Sequence, residues 1–191
     1  MAEMDLRRRE TGSIKNTMGQ VDASALYSLV RIVRPQIVVE TGTNRGASTA
    51  FILKALHDAG CTKSKVISIE YEDGPEVGML IPQELRANLK IVKGDIRDLI
   101  LDQKTIPSEI DFFLHDSSHK YEHQFWEFTQ FWPLISSGGI LASHDVDLNS
   151  SFSTFVTQTY HHISGKTDPS KTTHADWGRC GKLGFIQKRV M

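Results

Sequence analysis

This sequence predicts an α/β fold, doubly wound around a mostly parallel sheet with an antiparallel edge strand. Two observations carry the expectation. Short apolar runs rich in β-branched residues alternate with amphipathic stretches through at least four rounds, and covering both faces of a parallel sheet with crossover helices produces that alternation. In addition, an acidic residue follows each of the first five apolar runs, where an open parallel sheet gathers its ligands.

The elements follow in order. Residues 1–20 are polar and read as an N-terminal arm. From Asp22 an amphipathic helix sets Leu26, Leu29, Val30 and Val33 at helical spacing, and Pro35 stops it. Ile37-Val38-Val39 is the first buried strand. A turn over Thr41 to Arg45 leads into a helix from Gly46 to Ala59, ended by Gly60. Lys65 to Ile69 and Lys90 to Lys93 are the second and third strands, with Glu84 to Asn88 a helix end or loop between them. A helical stretch runs from Ile96 to Leu101. Ile110 to Leu114 is the fourth strand, and Tyr121 to Phe131 is an aromatic-rich helix stopped near Pro133. Gly138-Gly139 reads as a turn before a fifth strand, Ile140 to Ser143. Ser151 to Ile163 reads as a helix, 164–182 as a loop, and Leu183 to Gln187 as the last strand. No repeat, low-complexity tract or linker divides the chain, so 1–191 reads as one domain.

Composition narrows the function. With 191 residues and 39% hydrophobic content the chain can bury a real core. A net charge of −1 offers no broad basic field, which argues against nucleic acid; Arg7-Arg8-Arg9 reads as a solvated cluster. No stretch approaches the roughly 20 apolar residues of a membrane span. Cys61 and Cys180 lie far apart in no zinc or redox pattern. These features predict a cytoplasmic protein acting on a small molecule, with the N-terminal segment available for a homodimer contact.

The chemistry sits after the strands. Glu40-Thr41-Gly42-Thr43-Asn44-Arg45-Gly46 follows the first, Glu70 the second, Gly94-Asp95 the third, His115-Asp116 the fourth and His144-Asp145 the fifth. Gly42 and Gly46 permit a tight turn and close approach of a ligand to the backbone. The spacing E-x-G-x-x-x-G departs from the G-x-G-x-x-G pyrophosphate cradle. An acid at Glu70 can accept from both ribose hydroxyls. Carboxylates crowded at one sheet edge repel one another unless a cation or hydroxyls meet them, which favours a phosphate-free, cationic cofactor.

The succession VVETGTNRGAST, VISIEYED, IVKGDIRDL, IDFFLHDSSHKYEH and GGILASHDV resembles the class I S-adenosylmethionine-dependent methyltransferases over roughly residues 35–147. Within them it resembles the small O-methyltransferase branch that includes cephalosporin hydroxylase-like proteins. The resemblance implies a Rossmann-like methyltransferase fold and S-adenosylmethionine as cofactor. It assigns Glu40, Gly42 and Gly46 to the methionine end, Glu70 to the ribose, and Asp95 and Ile96 to the adenine, with Thr43 and Ser48 also among the cofactor-binding residues. Asp116 would stand beside both sulfonium and acceptor. In metal-dependent relatives, carboxylates after the fourth and fifth strands hold Mg²⁺; Asp116 and Asp145 occupy those places here, and metal dependence stays open because a third ligand has no clear match. His144 there would tilt the choice toward a transition metal.

For catalysis the candidates are Asp116, His119 and His144, with His119 the candidate base for the acceptor's proton. His115 reads as structural, His123 as exposed, and the aromatics of 126–132 as packing. His161, His162 and His174 lie near the 164–182 loop, a candidate lid that Trp177 would close. Three rivals stand beside methyl transfer to an oxygen, less readily a nitrogen, of a small acceptor: a non-catalytic S-adenosylmethionine-binding subunit, a nicotinamide-dependent reductase, and a hydrolase, the last weakened by the absence of a G-x-S-x-G elbow.

Overall fold

The computed structural model describes residues 18–102, 104–164 and 176–189. Helix α1 (Gln20–Val33) ends where Arg34 turns left-handed ahead of Pro35. It leads into β1 (Ile37–Thr41), α2 (Ala47–Asp58) and β2 (Lys65–Glu70). A 3₁₀ turn at Gln83–Asn88 precedes β3 (Leu89–Lys93) and the short α3 (Ile96–Leu99). Then come β4 (Ile110–His115), α4 (Tyr121–Phe131), β5 (Ile135–Ser143), α5 (Ser151–Ser164), β6 (Asp176–Cys180) and β7 (Leu183–Gln187).

The strands form one seven-stranded sheet in the order β3-β2-β1-β4-β5-β7-β6. The first five are mutually parallel, while β7 runs antiparallel to both β5 and β6. The expected doubly wound sheet with an antiparallel edge is therefore present. The strand order reverses beside β1 and β4, which opens a crevice at their carboxyl ends.

Alternation along the strands divides the core into two layers. Val38, Phe112 and Leu114 face α1 and α2, meeting Leu26, Val30, Ile52 and Leu56. Val39, Phe113 and Leu141 face α4 and α5, meeting Phe128, Phe131 and Phe155. The aromatics of α4 are thus packing residues, as expected: Phe131 stacks on Phe113 at 3.9 Å between centroids, and Phe128 sits among Phe152, Phe155 and His115.

Three sequence expectations change. The 164–182 loop is shorter, because Asp176–Cys180 is a sixth strand paired with β7; the remainder, 165–175 with His174, lies outside the described residues. The Gly138-Gly139 turn is strand instead. Gly138 N–H donates to Lys188 O and Lys188 N–H to Gly139 O, so β5 runs on through both glycines. The arm is also shorter than 1–20, since Met18 is buried in the core and the helix begins at Gln20; residues 1–17 lie outside the described residues. No helix among the described residues is long and apolar enough to cross a membrane.

Phe128 is fully buried. Its replacement by alanine is expected to lower unfolding free energy by about 3–5 kcal/mol, read from the midpoint of chemical denaturation; a loss below about 1 kcal/mol would show that the α4–α5 layer is not close-packed.

Candidate active site

The crevice holds two cavities. The first, about 610 Å³, runs along the ends of β2 and β3 and is lined by Glu70, Tyr71, Asp95, Ile96 and Arg97 among others. The second, about 700 Å³, lies against the start of α2 and the ends of β4 and β5, lined by Asp22, Gly46, His119, His144, Asp145 and Lys182. They meet over the first turn and the β4 end, because Gly42, Asn44, Asp116 and Ser117 line both.

Gly42 makes that junction possible. Its φ is +91°, a conformation open mainly to glycine, and a Cβ there would overlap the Asp116 carbonyl and its carbon. The turn is fixed further by Gly42 N–H donating to Ile69 O at 2.8 Å and by Asp116 N–H donating to Thr41 O at 2.9 Å. Asn44 (φ +44°) and Asp145 (φ +52°) are non-glycine residues held left-handed, and both line the second cavity. Strain of this kind persists only where the surroundings enforce it.

In the first cavity, Glu70 is aimed by two backbone donors, Asn44 N–H at 2.6 Å and Glu72 N–H at 3.0 Å. Its remaining lone pairs can accept from a diol. Asp95 caps α3 through Arg97 N–H at 2.9 Å, and Ile96 supplies a buried apolar floor. His123 lines this cavity rather than standing exposed. Its Nε2 lies 2.7 Å from Glu127, a fully buried carboxylate that also accepts from Thr41 Oγ1 at 2.5 Å, His115 Nδ1 at 2.8 Å and Ser117 Oγ at 2.9 Å. Burial alone would raise Glu127; the charge and hydrogen bond of His115, with His123 and Thr41, outweigh it and hold the carboxyl well below its ordinary range. His115 is structural, as expected.

In the second cavity, His144 is flanked on both ring nitrogens. Nδ1 lies 3.1 Å from Asp116 Oδ1 and 3.4 Å from Asp145 Oδ2, and Nε2 lies 3.3 Å from Asp22 Oδ2. Burial works against the charged ring, yet the hydrogen bond and charge of Asp116, the charge of Asp145 and the bond to Asp22 push it up to about 9. Asp22 also accepts from Lys182 N–H at 2.8 Å. His119 Nε2 lies 3.3 Å from Asp145; burial lowers its pKa against the pull of Asp145 and Asp116, and its Nδ1 is buried without a partner among the described residues.

The structure thus brings Gly42, Thr43, Gly46, Ser48, Asp116, His119, His144 and Asp145 to the second cavity and Glu70, Asp95 and Ile96 to the first. Glu40 is placed differently: fully enclosed, it accepts from Ser48 Oγ, Thr49 Oγ1 and Ser68 Oγ and lines neither cavity. Trp177 closes over neither one. It lines a separate groove with Val146, Phe152 and Val156. Sequence reasoning missed Glu127, although His123 and Glu127 stand four apart on one helix; it missed Asp22 and Lys182, which nothing local marks.

Asp116 and Asp145 do converge, but on His144, and among the described residues no group of three or more His, Cys, Asp or Glu side chains is arranged to hold a metal ion. With the imidazole between the carboxylates, this arrangement does not fit a divalent cation.

An open sheet of this strand order, with an acidic, divided crevice at the carboxyl ends of its parallel strands, defines the class I methyltransferase architecture. A family model described as a methyltransferase domain matches residues 39–146, more than half of the chain, and the chain belongs to that family. Solved structures share the fold. An O-methyltransferase from Streptomyces achromogenes involved in tomaymycin synthesis, in complex with S-adenosylmethionine, matches at 15% identity and a TM-score of 0.66, covering 99% of this chain and 89% of that one. A methyltransferase from Geobacter sulfurreducens matches at 17% and 0.66, covering 100% and 87%. An O-methyltransferase from Bacillus cereus in complex with S-adenosylhomocysteine matches at 16% and 0.64, covering 98% and 90%. No curated protein sequence matches the chain.

Burial pushes Glu40 up to about 7 despite its three hydroxyl donors. A folded-state pKa above the unfolded value gives a contribution to stability that is complete below about pH 4.5 and is lost as pH rises through 7. The difference in unfolding free energy between wild type and Glu40→Gln is expected to fall by a few kcal/mol across that window, measured by denaturation at a series of pH values. A difference that stays flat would show Glu40 charged throughout.

Proposed function

We propose that the protein transfers a methyl group from S-adenosylmethionine to an oxygen of a small-molecule acceptor. The observation that carries this is the divided crevice: a nucleoside-sized cavity with a pre-aimed carboxylate at Glu70, joined over Gly42 and Asp116 to a second, acidic cavity. The family supports methyl transfer, and similar structures crystallised with S-adenosylmethionine or S-adenosylhomocysteine support the cofactor.

In this reading Glu70 accepts from the ribose hydroxyls. Ile96 lies under the adenine and Asp95 at its edge. The methionine half passes over Gly42, which brings the sulfonium beside Asp116, where a negative charge favours a cationic ligand. The acceptor enters the second cavity from the side of His119, Asp145 and Leu148. The main contribution to rate is alignment of acceptor oxygen, methyl carbon and sulfur. His119, whose pKa burial lowers, lines the acceptor's cavity with Nε2 turned to Asp145 at 3.3 Å, and the acceptor's proton passes to this His119–Asp145 pair. His144 has a carboxylate at each ring nitrogen and so acts as a donor that orients Asp116, with no lone pair to offer as a base.

Calorimetry tests the cofactor assignment. Wild type is expected to bind S-adenosylhomocysteine, and Glu70→Ala to bind it about ten- to a hundredfold more weakly, as expected on losing a hydrogen-bonding charged group. Stabilisation by NADPH with no response to S-adenosylhomocysteine would instead favour a reductase.

A further inference from the structure

The sheet ends on a strand with one open side. β6 is bonded to β7 and, among the described residues, to no backbone beyond it. Such an edge presents a row of unpaired N–H and C=O groups that can template pairing with another chain. Pairing with β7 also fixes which way its side chains face. Trp177 lies opposite Ile186 and Arg179 opposite Gly184, and both stand on the α5 side, where they line a groove of about 500 Å³ with Val146, Phe152 and Val156. Those three groove residues are buried, yet Trp177 is 56% exposed. A large apolar ring therefore stands uncovered where the groove meets the open strand edge.

We propose that β6 pairs antiparallel with β6 of a second copy of this chain. The register follows from the strand itself. Residues directly across an antiparallel pair turn their backbone groups the same way, toward or away from each other, so their positions differ by an even number. The one register that uses all five residues of β6 centres on Gly178 and sets Trp177 opposite Arg179 of the second copy. Opposite residues share a face of the sheet, so each indole meets a guanidinium, once on either side of the two-fold axis, and gains a cation–π contact. The edge is thus complementary to itself, as a two-fold contact requires. β6 runs parallel to β5, because β7 is antiparallel to both. The two sheets therefore join with their parallel strands reversed, and their crevices open at opposite ends. The hairpin engaged in this contact also carries Lys182 to Asp22 and Asp145, which ties the pairing to the second cavity.

Sedimentation velocity on the full chain tests the pairing. Wild type is expected to be a dimer that dissociates on dilution. Trp177→Arg sets arginine against arginine on both sides of the axis and is expected to weaken association about tenfold or more, because like charges directly opposite destabilise a strand pair. Adding Arg179→Glu to that variant sets arginine against glutamate and is expected to recover most of the loss. Both positions are exposed, so neither variant is expected to move the denaturation midpoint of the monomer. Hydrogen exchange of the 176–180 amides in wild type is expected to slow as concentration rises through the dissociation range. The proposal is overturned by a wild type that stays monomeric at every concentration reached, by a dimer that Trp177→Arg leaves intact, or by a loss that the second substitution does not recover. Protection of 176–180 in a monomer overturns it as well, because another segment of the same chain would then hold the edge.

Discussion

The carboxyl edge of the sheet is organised around one buried charge, Glu127. A carboxylate with no solvent exposure is tolerable only when it is paired and its lone pairs are met, and here four donors converge on it. Thr41 is the last residue of β1, His115 the last of β4, Ser117 lies in the loop beyond, and His123 lies one turn back on α4. Satisfying Glu127 therefore fixes where α4 sits relative to both central strands. The adjoining backbone follows, because Thr41 receives the N–H of Asp116 and Gly42 rests on the Asp116 carbonyl.

The acids gathered at the carboxyl edge of the sheet are reconciled by three distinct means. Glu40 is enclosed by hydroxyls and drawn toward its neutral form. Asp22, Asp116 and Asp145 are gathered around one imidazole, with Lys182 at the rim. Glu70 and Asp95 stay open to the first cavity, steadied only by backbone N–H groups. Burial and partner choice thus separate residues that look equivalent in the sequence, leaving cavity-facing carboxylates distinct from those that shape the fold.

The sheet was legible because β1 to β5 are short apolar runs whose partners are parallel neighbours, and the Gly42–Gly46 turn was legible because glycine has a backbone meaning. What escaped was set at long range. Asp176-Trp177-Gly178-Arg179-Cys180 has no apolar alternation and becomes a strand by pairing with β7. Gly138 and Gly139 resemble a turn until Lys188 bonds across to both. Glu127 looks like a polar residue on an amphipathic helix, and Asp22 like a first-turn acid, until the tertiary fold encloses them. Glu40 had the right type and place for a ligand contact, yet the side chain faces inward to Ser48, Thr49 and Ser68.

The contact between Lys182 N–H and Asp22 Oδ1 joins residues 160 positions apart. Residues as far as Asp116 contain Glu70, Asp95 and the glycine turn, and the first cavity is completed by Ser117, His123 and Glu127 a few positions further on. The second cavity needs in addition the hairpin of β6 and β7, which brings Lys182 back to the first helix beside the carboxylates around His144. Closing a loop of such length carries a high entropic cost, so the second cavity depends on contacts that span almost the whole described chain.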